Sequence, residues 1–419
     1  MKFMAEIEAG NIVKTMKLHI KVTEEDRQNL LDVTTMYANA CTYISEYIFN
    51  NGFELGFMRL QDKIYHTVRK SFSLKSQMTI SAIKTAAARY KTIKEQLSQR
   101  PFKYKDETGK WNYIPRTLDW LHKPIVFSRP QADLVFNRDY SFINDSTTGK
   151  PKLSLNTLKK RIYVEYDLPD NFKKYFDGTW KFGTGKIISL NGEWYFHIPM
   201  TKAVSDLFHV NDTTHLVGID RGIRFLITTY DEKRKTKFVS GSDIMKKRDK
   251  FKAVRAELQA RGTKSAKRVL KRLAGRENRW MTDVNHQISK TLVCSYGENT
   301  LFVIEDLTGV SFSEENLKSR SSDGRRELKS WSFYQFEQFL TYKANEIGAK
   351  VLKVPADYTS QRCPVCGRIH KESRNHDTHE YICDVCGYRS NDDRLGAMNL
   401  FALGLEYING EMNPHFSKK

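Results

Sequence analysis

The stretch HLVGIDRGIRFLITTYDE (residues 215–232) reads as an apolar strand that delivers Asp220 to its end, with glycines flanking the acid at 218 and 222 and a second strand returning at once. Taken alone it is a weak signal, because many strands end in an aspartate that only caps a turn. Working outward strengthens it. The next apolar strand, LFVIEDL (301–307), brings Glu305 and Asp306 to its end. After it come an amphipathic helix, WSFYQFEQFLTYKANEIGAK (331–350), a strand, VLKVPAD (351–357), a cysteine-bearing segment, and NDDRLGAMNLFALGL (391–405), which reads as a helix starting near Asp393.

Strand-hairpin, strand, helix, strand, helix is the order of an RNase H-like α/β fold, and it gives three acids on three elements a place to converge. Two divalent ions held roughly 3.5 to 4 Å apart can activate a water and stabilise the leaving oxygen of a phosphodiester. Hard oxygen ligands suit magnesium. Asp220, Glu305 and Asp393 are therefore the expected catalytic, magnesium-holding residues, with Asp220 bridging both ions. Their neighbours Asp306 and Asp392 are expected to point elsewhere.

The cysteines answer to a different metal. Cys363 and Cys366 are two residues apart, as are Cys383 and Cys386, with sixteen residues between the pairs. That is zinc-ribbon spacing. Gly367 and Gly387 follow the two pairs and allow the positive backbone angle of a knuckle, and four thiolates leave a closed, structural site. A redox CxxC or two disulfides are the competing readings. His370, His376 and His379 lie between the pairs and are expected to face solvent. Cys41 and Cys294 sit in apolar helical patterns and read as buried core, a usage that fits a reducing cytosol.

Composition points the same way. The 419 residues allow two or three domains, and 40% apolar with 12% aromatic content excludes a disordered polymer. Sixty-nine Lys and Arg against 49 Asp and Glu leave +20, which suits a polyanion. No apolar run approaches the roughly 18 residues needed to span a bilayer, and MKFMAEIEAGN carries acids where a signal peptide would be apolar. A cytoplasmic, nucleic-acid-bound protein without a membrane role is expected. Residues 246 to 279 carry fourteen Lys and Arg against Asp249, Glu257 and Glu277. An isolated charge run is usually a solvated face, but beside a phosphodiester site it reads as a surface that tracks a nucleic-acid backbone. Arg255, Lys264, Lys267, Arg268, Lys271 and Arg272 are its expected contacts.

In the first half, Met16, Leu18, Ile20 and Val22 alternate with polar residues as a half-buried strand, and Thr23 with Asp26 makes a capping box. Helical spacing follows through Leu30, Val33, Tyr37 and Ile44, then through Ile80, Ile83, Ala87 and Tyr90. Strands resume with RIYVEYDL (161–168), then KIISL and EWYFHI joined by Asn191-Gly192, a pair suited to a type I′ turn. GTGK (183–186) lacks the first glycine and the hydroxyl residue of a phosphate loop and is set aside. The fold expected is α+β and multidomain. It comprises a β-barrel from 1–23 and 101–205 with a helical insertion at 24–100, and an RNase H-like domain from 206–358 and 390–405 with a basic helical insertion at 246–290. A zinc ribbon at 359–389 and a tail at 406–419 complete it.

GID with a following glycine, IEDL, YTSQRCPVCG, CxxCG and D-x-x-x-A-x-N, in that order, resemble the TnpB family of transposon-encoded RNA-guided nucleases, whose core the miniature type V CRISPR effectors share. The resemblance is strong over about 215–402 and looser over the N-terminal half. It implies a RuvC-type site at Asp220, Glu305 and Asp393 that cuts double-stranded DNA with magnesium, structural zinc on the four cysteines, and a guide RNA that pairs with one DNA strand beside a short motif. The barrel and helices would correspond to the family's wedge and recognition parts. Leu395 stands where the family pattern has asparagine, Gly396 where it has alanine, and Arg221 where an apolar residue is usual. These departures keep open a guided DNA-binding protein with weak or no cutting, and an unguided RNase H-like nuclease is the third reading.

Overall fold

The computed structural model describes residues 11–145, 148–190, 192–203, 208–211, 213–222, 224–307, 333–375 and 378–417. The chain divides into two units, residues 13–203 and residues 1–12 with 204–419.

In the first unit, β1 (Asn11–Lys21) turns Met16, Leu18 and Ile20 into the core. Thr23 then opens α1 (Glu24–Asn50): its hydroxyl accepts from Asp26 N at 3.1 Å and donates to the Asp26 carboxylate at 2.9 Å. α1 packs with α2 (Phe57–Ser71) and α3 (Ser76–Ser98) through Leu30, Val33, Tyr37 and Ile44 on one side and Ile83, Ala87 and Tyr90 on the other. Lys84, Arg89, Lys91 and Lys94 of α3 stay exposed. Next, β2 (Phe102–Lys105) and β3 (Trp111–Ile114) form a two-stranded ribbon by themselves.

The later strands are β4 (Gln131–Leu134), β5 (Tyr140–Asn144), β6 (Pro151–Asn156), β7 (Arg161–Asp167), β8 (Lys181–Phe182), β9 (Gly185–Leu190) and β10 (Glu193–Ala203), with a single-turn helix α4 (Asp170–Lys173) between β7 and β8. With β1 they make an eight-stranded sheet in the order β4-β9-β10-β1-β7-β6-β5, β8 pairing on β10. Glu193 pairs with Leu190, and Gly192 has φ +88°, as a tight hairpin requires; Asn191 lies outside the described residues. The GTGK run is a turn into β9, and a Cβ at Gly185 would lie 2.3 Å from the Phe196 ring, which accounts for that glycine by packing alone.

The expected β-barrel is not closed among the described residues. Among the described residues the edge strands β4 and β5 do not pair with each other. Alternation specifies which face of a strand is buried, whereas closure needs strand number and stagger to match. Here β4 is instead fastened to helices: Tyr37 of α1 and Thr85 of α3 donate their hydroxyls to Asp133 Oδ2 at 3.2 and 2.7 Å.

The second unit is built on β11 (His215–Asp220), β12 (Phe225–Asp231), β13 (Thr236–Ser240), β14 (Thr300–Asp306) and β15 (Lys350–Pro355), in the order β13-β12-β11-β14-β15. β11 is antiparallel to β12 and parallel to β14, and β14 is parallel to β15. Both faces are covered, so β11 and β14 are apolar nearly throughout. Val217, Ile219, Phe302 and Ile304 face α6 (Lys264–Tyr296) and α7 (Phe333–Glu346) through Met281, Leu292, Phe336 and Leu340. Leu216, Leu301 and Val303 face α8 (Asp392–Ile408) through Leu400 and Leu403. The helix expected at 331–350 is α7, Trp331 and Ser332 lying outside the described residues. No helix among the described residues is long and apolar enough to cross a membrane.

Candidate active site and metal centre

Side chains alternate along a strand, so residues 216, 218 and 220 of β11 share a face, as do 301, 303 and 305 of β14. Leu216, Leu301 and Val303 pack toward α8, and Asp220 and Glu305 therefore end the strands on the α8 side. The parallel register sets Ile219 beside Ile304, which makes the two acids neighbours. α8 comes unusually close. A Cβ on Gly218 would lie 2.1 Å from Ala397 O and 2.5 Å from Phe401 N, and one on Gly404 would lie 2.6 Å from Leu216 and 2.7 Å from Val303. Glycine at both places lets the helix backbone rest on the sheet. The same contact explains Gly396: a Cβ there would lie 2.9 Å from Asp220 Cγ, so the carboxylate occupies the space an alanine methyl would take.

The first turn of α8 brings the third acid. Asn391 caps the helix by accepting from Arg394 N at 3.0 Å, and Asp393 Oδ1 lies 3.6 Å from where a Cβ on Gly222 would stand, over the turn after Asp220. Burial holds the carboxyls of Asp220, Glu305 and Asp393 above the usual range. Asp220 is raised further by the charges of both Glu305 and Asp393, and Asp393 by Asp392. Opposing this, Thr359 donates to Glu305 Oε1 at 2.5 Å, and Arg374 lowers all three.

Of the neighbouring acids, Asp392 does not stand apart: its ligand atom lies within 4.8 Å of those of Asp393 and His379. Asp392 is fully buried and accepts from Arg374 Nε at 3.0 Å, from its own neighbour Asp393 N at 2.9 Å through the other oxygen, and lies 3.5 Å from His379 Nδ1. Asp306, on the opposite face of β14, pairs with Lys353 at 3.3 Å. Arg221 is bonded to a backbone carbonyl and to Glu337, while its charge still lowers the Glu305 carboxyl. Its Nη2 donates to the Glu305 carbonyl oxygen at 2.5 Å and its Nη1 lies 3.5 Å from Glu337 Oε2, while Glu337 also meets Lys353 at 3.0 Å. This buried guanidinium ties the end of β11 to the end of β14 and to α7.

Several residues here escaped the sequence reading. Asn399 donates to the carbonyls of Thr359 and Arg362 at 2.7 and 2.8 Å, and so holds the segment that carries Thr359 under Glu305. Both residues lie inside quoted motifs, YTSQRC and D-x-x-x-A-x-N, but nothing in their spacing states the contact. His379 is the correction among the histidines: expected in solvent, it has φ +57° and is turned toward Asp392. His370 lies 3.4 Å from Asp384, and His376 lies outside the described residues.

The four cysteines come together on a three-stranded sheet of β16 (Arg374–Asn375), β17 (Glu380–Ile382) and β18 (Arg389–Asn391). Gly367 N and Gly387 N donate back to Cys363 O and Cys383 O at 3.0 and 3.1 Å, with φ of +76° and +71°, closing both knuckles. Cys363 Sγ is 3.6 Å from Cys386 Sγ, and Cys366 Sγ is 3.5 Å from Cys383 Sγ. Four thiolates about 3.8 Å apart are what a tetrahedral ion with bonds of about 2.3 Å requires. Leu395, the family's asparagine position, is buried with Cys363, Cys383 and Tyr381, so the start of α8 is rooted in this centre. Cys41 is buried as expected; Cys294 is exposed on α6, because the apolar stripe there is carried by Leu292 and Val293.

The basic residues lie on α5 (Ser242–Arg261) and the first half of α6, where α5 buries no residue at all. Lys264, Lys267, Arg268, Lys271 and Arg272 are exposed or only partly covered. Arg255 is exposed too but spent on Glu277 at 2.6 Å, bracing the two helices. The second half of α6 buries Met281, Asn285, Ser289, Leu292 and Val293.

A sheet with helices on both faces, acids at its carboxyl ends and a four-cysteine cluster define a mixed α+β multidomain protein with an acidic candidate site. The family model described as probable transposase matches residues 197–310, and that described as Cas12f1-like, TNB domain, matches residues 333–400. The chain is 24% identical over 384 residues to the CRISPR-associated endodeoxyribonuclease Cas12f1 of Sulfoacidibacillus thermotolerans, covering 85% of this chain and 84% of that protein. It is 30% identical over 227 residues to the putative RNA-guided DNA endonuclease InsQ of Escherichia coli (strain K12), covering 51% and 54%. The cryo-EM structure of CasPhi-2 (Cas12j) bound to crRNA shares the fold, with a TM-score of 0.50 at 11% identity over 98% of this chain and 99% of that one. TnpB-like proteins and Cas12f1 are relatives of this chain.

Proposed function

We propose that the chain is an RNA-guided DNA endonuclease of a mobile element, which cuts double-stranded target DNA by metal-dependent hydrolysis after guide pairing beside a short motif. The observation that carries this reading is the gathering of Asp220, Glu305 and Asp393 at the ends of β11 and β14 and the start of α8. Three carboxylates with raised proton affinity, two of which act by their charge on the third, are a donor set suited to hard divalent cations of the magnesium class. When bound, two such ions activate a water and stabilise the leaving oxygen of a phosphodiester. Asp220, which feels the charges of both other acids, would hold the ions together with Glu305 and Asp393. Thr359 orients Glu305, and Arg374 with Asp392 steadies the approach to Asp393. The four cysteines hold structural zinc.

In this reading the strand order of the second unit is that of an RNase H-like, RuvC-type domain at 206–358 and 390–405. Residues 246–290 supply basic helices that track a nucleic-acid backbone, 359–389 form a zinc ribbon, and 406–419 a tail. Residues 1–23 and 101–205 serve as a wedge-like body, with a recognition insertion at 24–100, in a protein of the cytoplasm. Likeness to InsQ, a putative RNA-guided DNA endonuclease, supports guidance by RNA. The longer match is to Cas12f1, which favours a second reading as a miniature type V CRISPR effector. RNA retained by protein purified from its native locus through a high-salt wash decides between them. A discrete RNA running past a mobile-element boundary is expected, a repeat-spacer RNA would select the second reading, and heterogeneous RNA would overturn both.

A thermodynamic signature follows from the raised carboxyls. Folded, they bind protons more readily than unfolded, so their contribution to stability is present at low pH and is lost as pH rises through the raised values. Magnesium, which binds the ionised forms, is expected to raise Tm by several degrees at pH 8 and much less at pH 5, with Asp220→Asn removing the increment. Equal increments at both pH values in scanning fluorimetry would count against the site.

A further inference from the structure

The ribbon of β2 and β3 belongs to no larger sheet and exposes both faces. Its register, Lys103 opposite Tyr113 and Lys105 opposite Trp111, puts two cations and two large rings on one face. Trp111 and Tyr113 are 55% and 58% exposed, and the Lys103 and Lys105 ammonium groups lie 5.5 and 5.3 Å from the Tyr113 and Trp111 ring centres. On the other face Phe102 leans on Trp120, with the Arg116 guanidinium 6.0 and 5.4 Å from their ring centres. Exposed rings of this size are ordinarily buried, and a lone two-stranded ribbon is marginal in water. Its turn is nonetheless well made: Asp106 accepts from Thr108 N and Lys110 N, both at 3.0 Å, and from Asn112 Nδ2 at 2.7 Å. Over residues 102–116, Lys103, Lys105, Lys110 and Arg116 therefore meet only Asp106, already taken up by that turn, and Glu107.

The geometry points to a stacking platform for unpaired nucleotides of RNA, with bases on Trp111 and Tyr113 and phosphates on Lys103 and Lys105. A row of two rings on β3 beside a row of two cations on β2 matches the parallel tracks of bases and phosphates along a single strand. A strand-paired helix offers no free base face to stack. A platform that stands exposed throughout fits the strand that the protein carries rather than the DNA it visits. This assignment rests on the guided reading given above.

The test uses the full chain and two fluorescein-labelled single strands of one mixed sequence, RNA and DNA, followed by anisotropy across a salt series. W111A/Y113A is expected to weaken RNA binding by roughly tenfold or more at every salt concentration, since each stacked base contributes appreciably, and W111F/Y113F to recover most of it. K103Q/K105Q, which leaves the rings in place, is expected to lower the salt slope by about 1.4 for single-stranded nucleic acid. Unchanged RNA affinity in both the alanine and glutamine variants overturns the platform while leaving the nuclease reading intact. A wild-type chain that binds no RNA overturns both. Weakening for DNA alone overturns the RNA occupant, and loss of a dimer in light scattering with RNA affinity unchanged makes the ribbon a contact between copies instead.

Discussion

Glu305→Gln is expected to abolish DNA cutting while leaving target binding nearly intact. The amide keeps the shape of the side chain and its oxygen can still accept from Thr359, so β14 and its neighbours have no reason to move. What is lost is the charge that holds a divalent ion. Thr359→Val supplies the graded comparison. It leaves the carboxylate in place but unoriented, and partners of metal ligands typically change activity roughly 10–100-fold, so about that loss is expected, with Glu305→Gln well beyond it. Cleavage of a guide-matched duplex in magnesium, run beside a filter-binding assay, reads both quantities. Retained cutting by Glu305→Gln, or binding lost in step with cutting, would remove Glu305 from the metal site.

Cys363→Ser is expected to act through the fold instead. Cys363 is fully buried, and its cluster includes Leu395 in the first turns of α8. Zinc content should fall from about one per chain to near none, since a structural site has no spare ligand. Tm should drop by many degrees, and the loss should spread to α8 and the placement of Asp393, so cutting goes as well. Cys294→Ser, at an exposed position on α6, is the matched control and should change nothing. Zinc stoichiometry by mass spectrometry that stays at wild type in Cys363→Ser would refute the four-cysteine centre.

The places of the acids, two at strand ends and one at a helix start, were legible because their physics is local. Two apolar strands ending in Asp220 and Glu305, and a capped helix opening on Asp393, are written in hydrophobic runs and end residues. The cysteine centre was legible for a similar reason, since two CxxCG knuckles fix their own geometry. Illegible features depend on partners distant in sequence. Arg221 looked like a disturbance beside the first acid, and only the register of β11 against β14 shows its guanidinium on the Glu305 carbonyl, 84 residues away. His379 sits in a polar loop whose sequence gives no hint of a positive φ. Closure of the first sheet failed as an expectation because alternation carries no information about which edges meet, and Asp133, which fastens β4 to two helices, reads as an ordinary strand-end acid.

The glycines under α8 have a consequence for anyone seeking a sturdier version of this protein. Gly396 and Gly404 each weaken a helix by roughly 0.5–1 kcal/mol relative to alanine, and replacing helix glycines is a standard route to thermostability. Here that route carries a cost at both places, because one methyl would crowd the Asp220 carboxylate and the other would press on Leu216 and Val303. Improvement by directed evolution should therefore accumulate in α5, whose side chains bury nothing, while the helix that carries Asp393 stays softer than its length would allow.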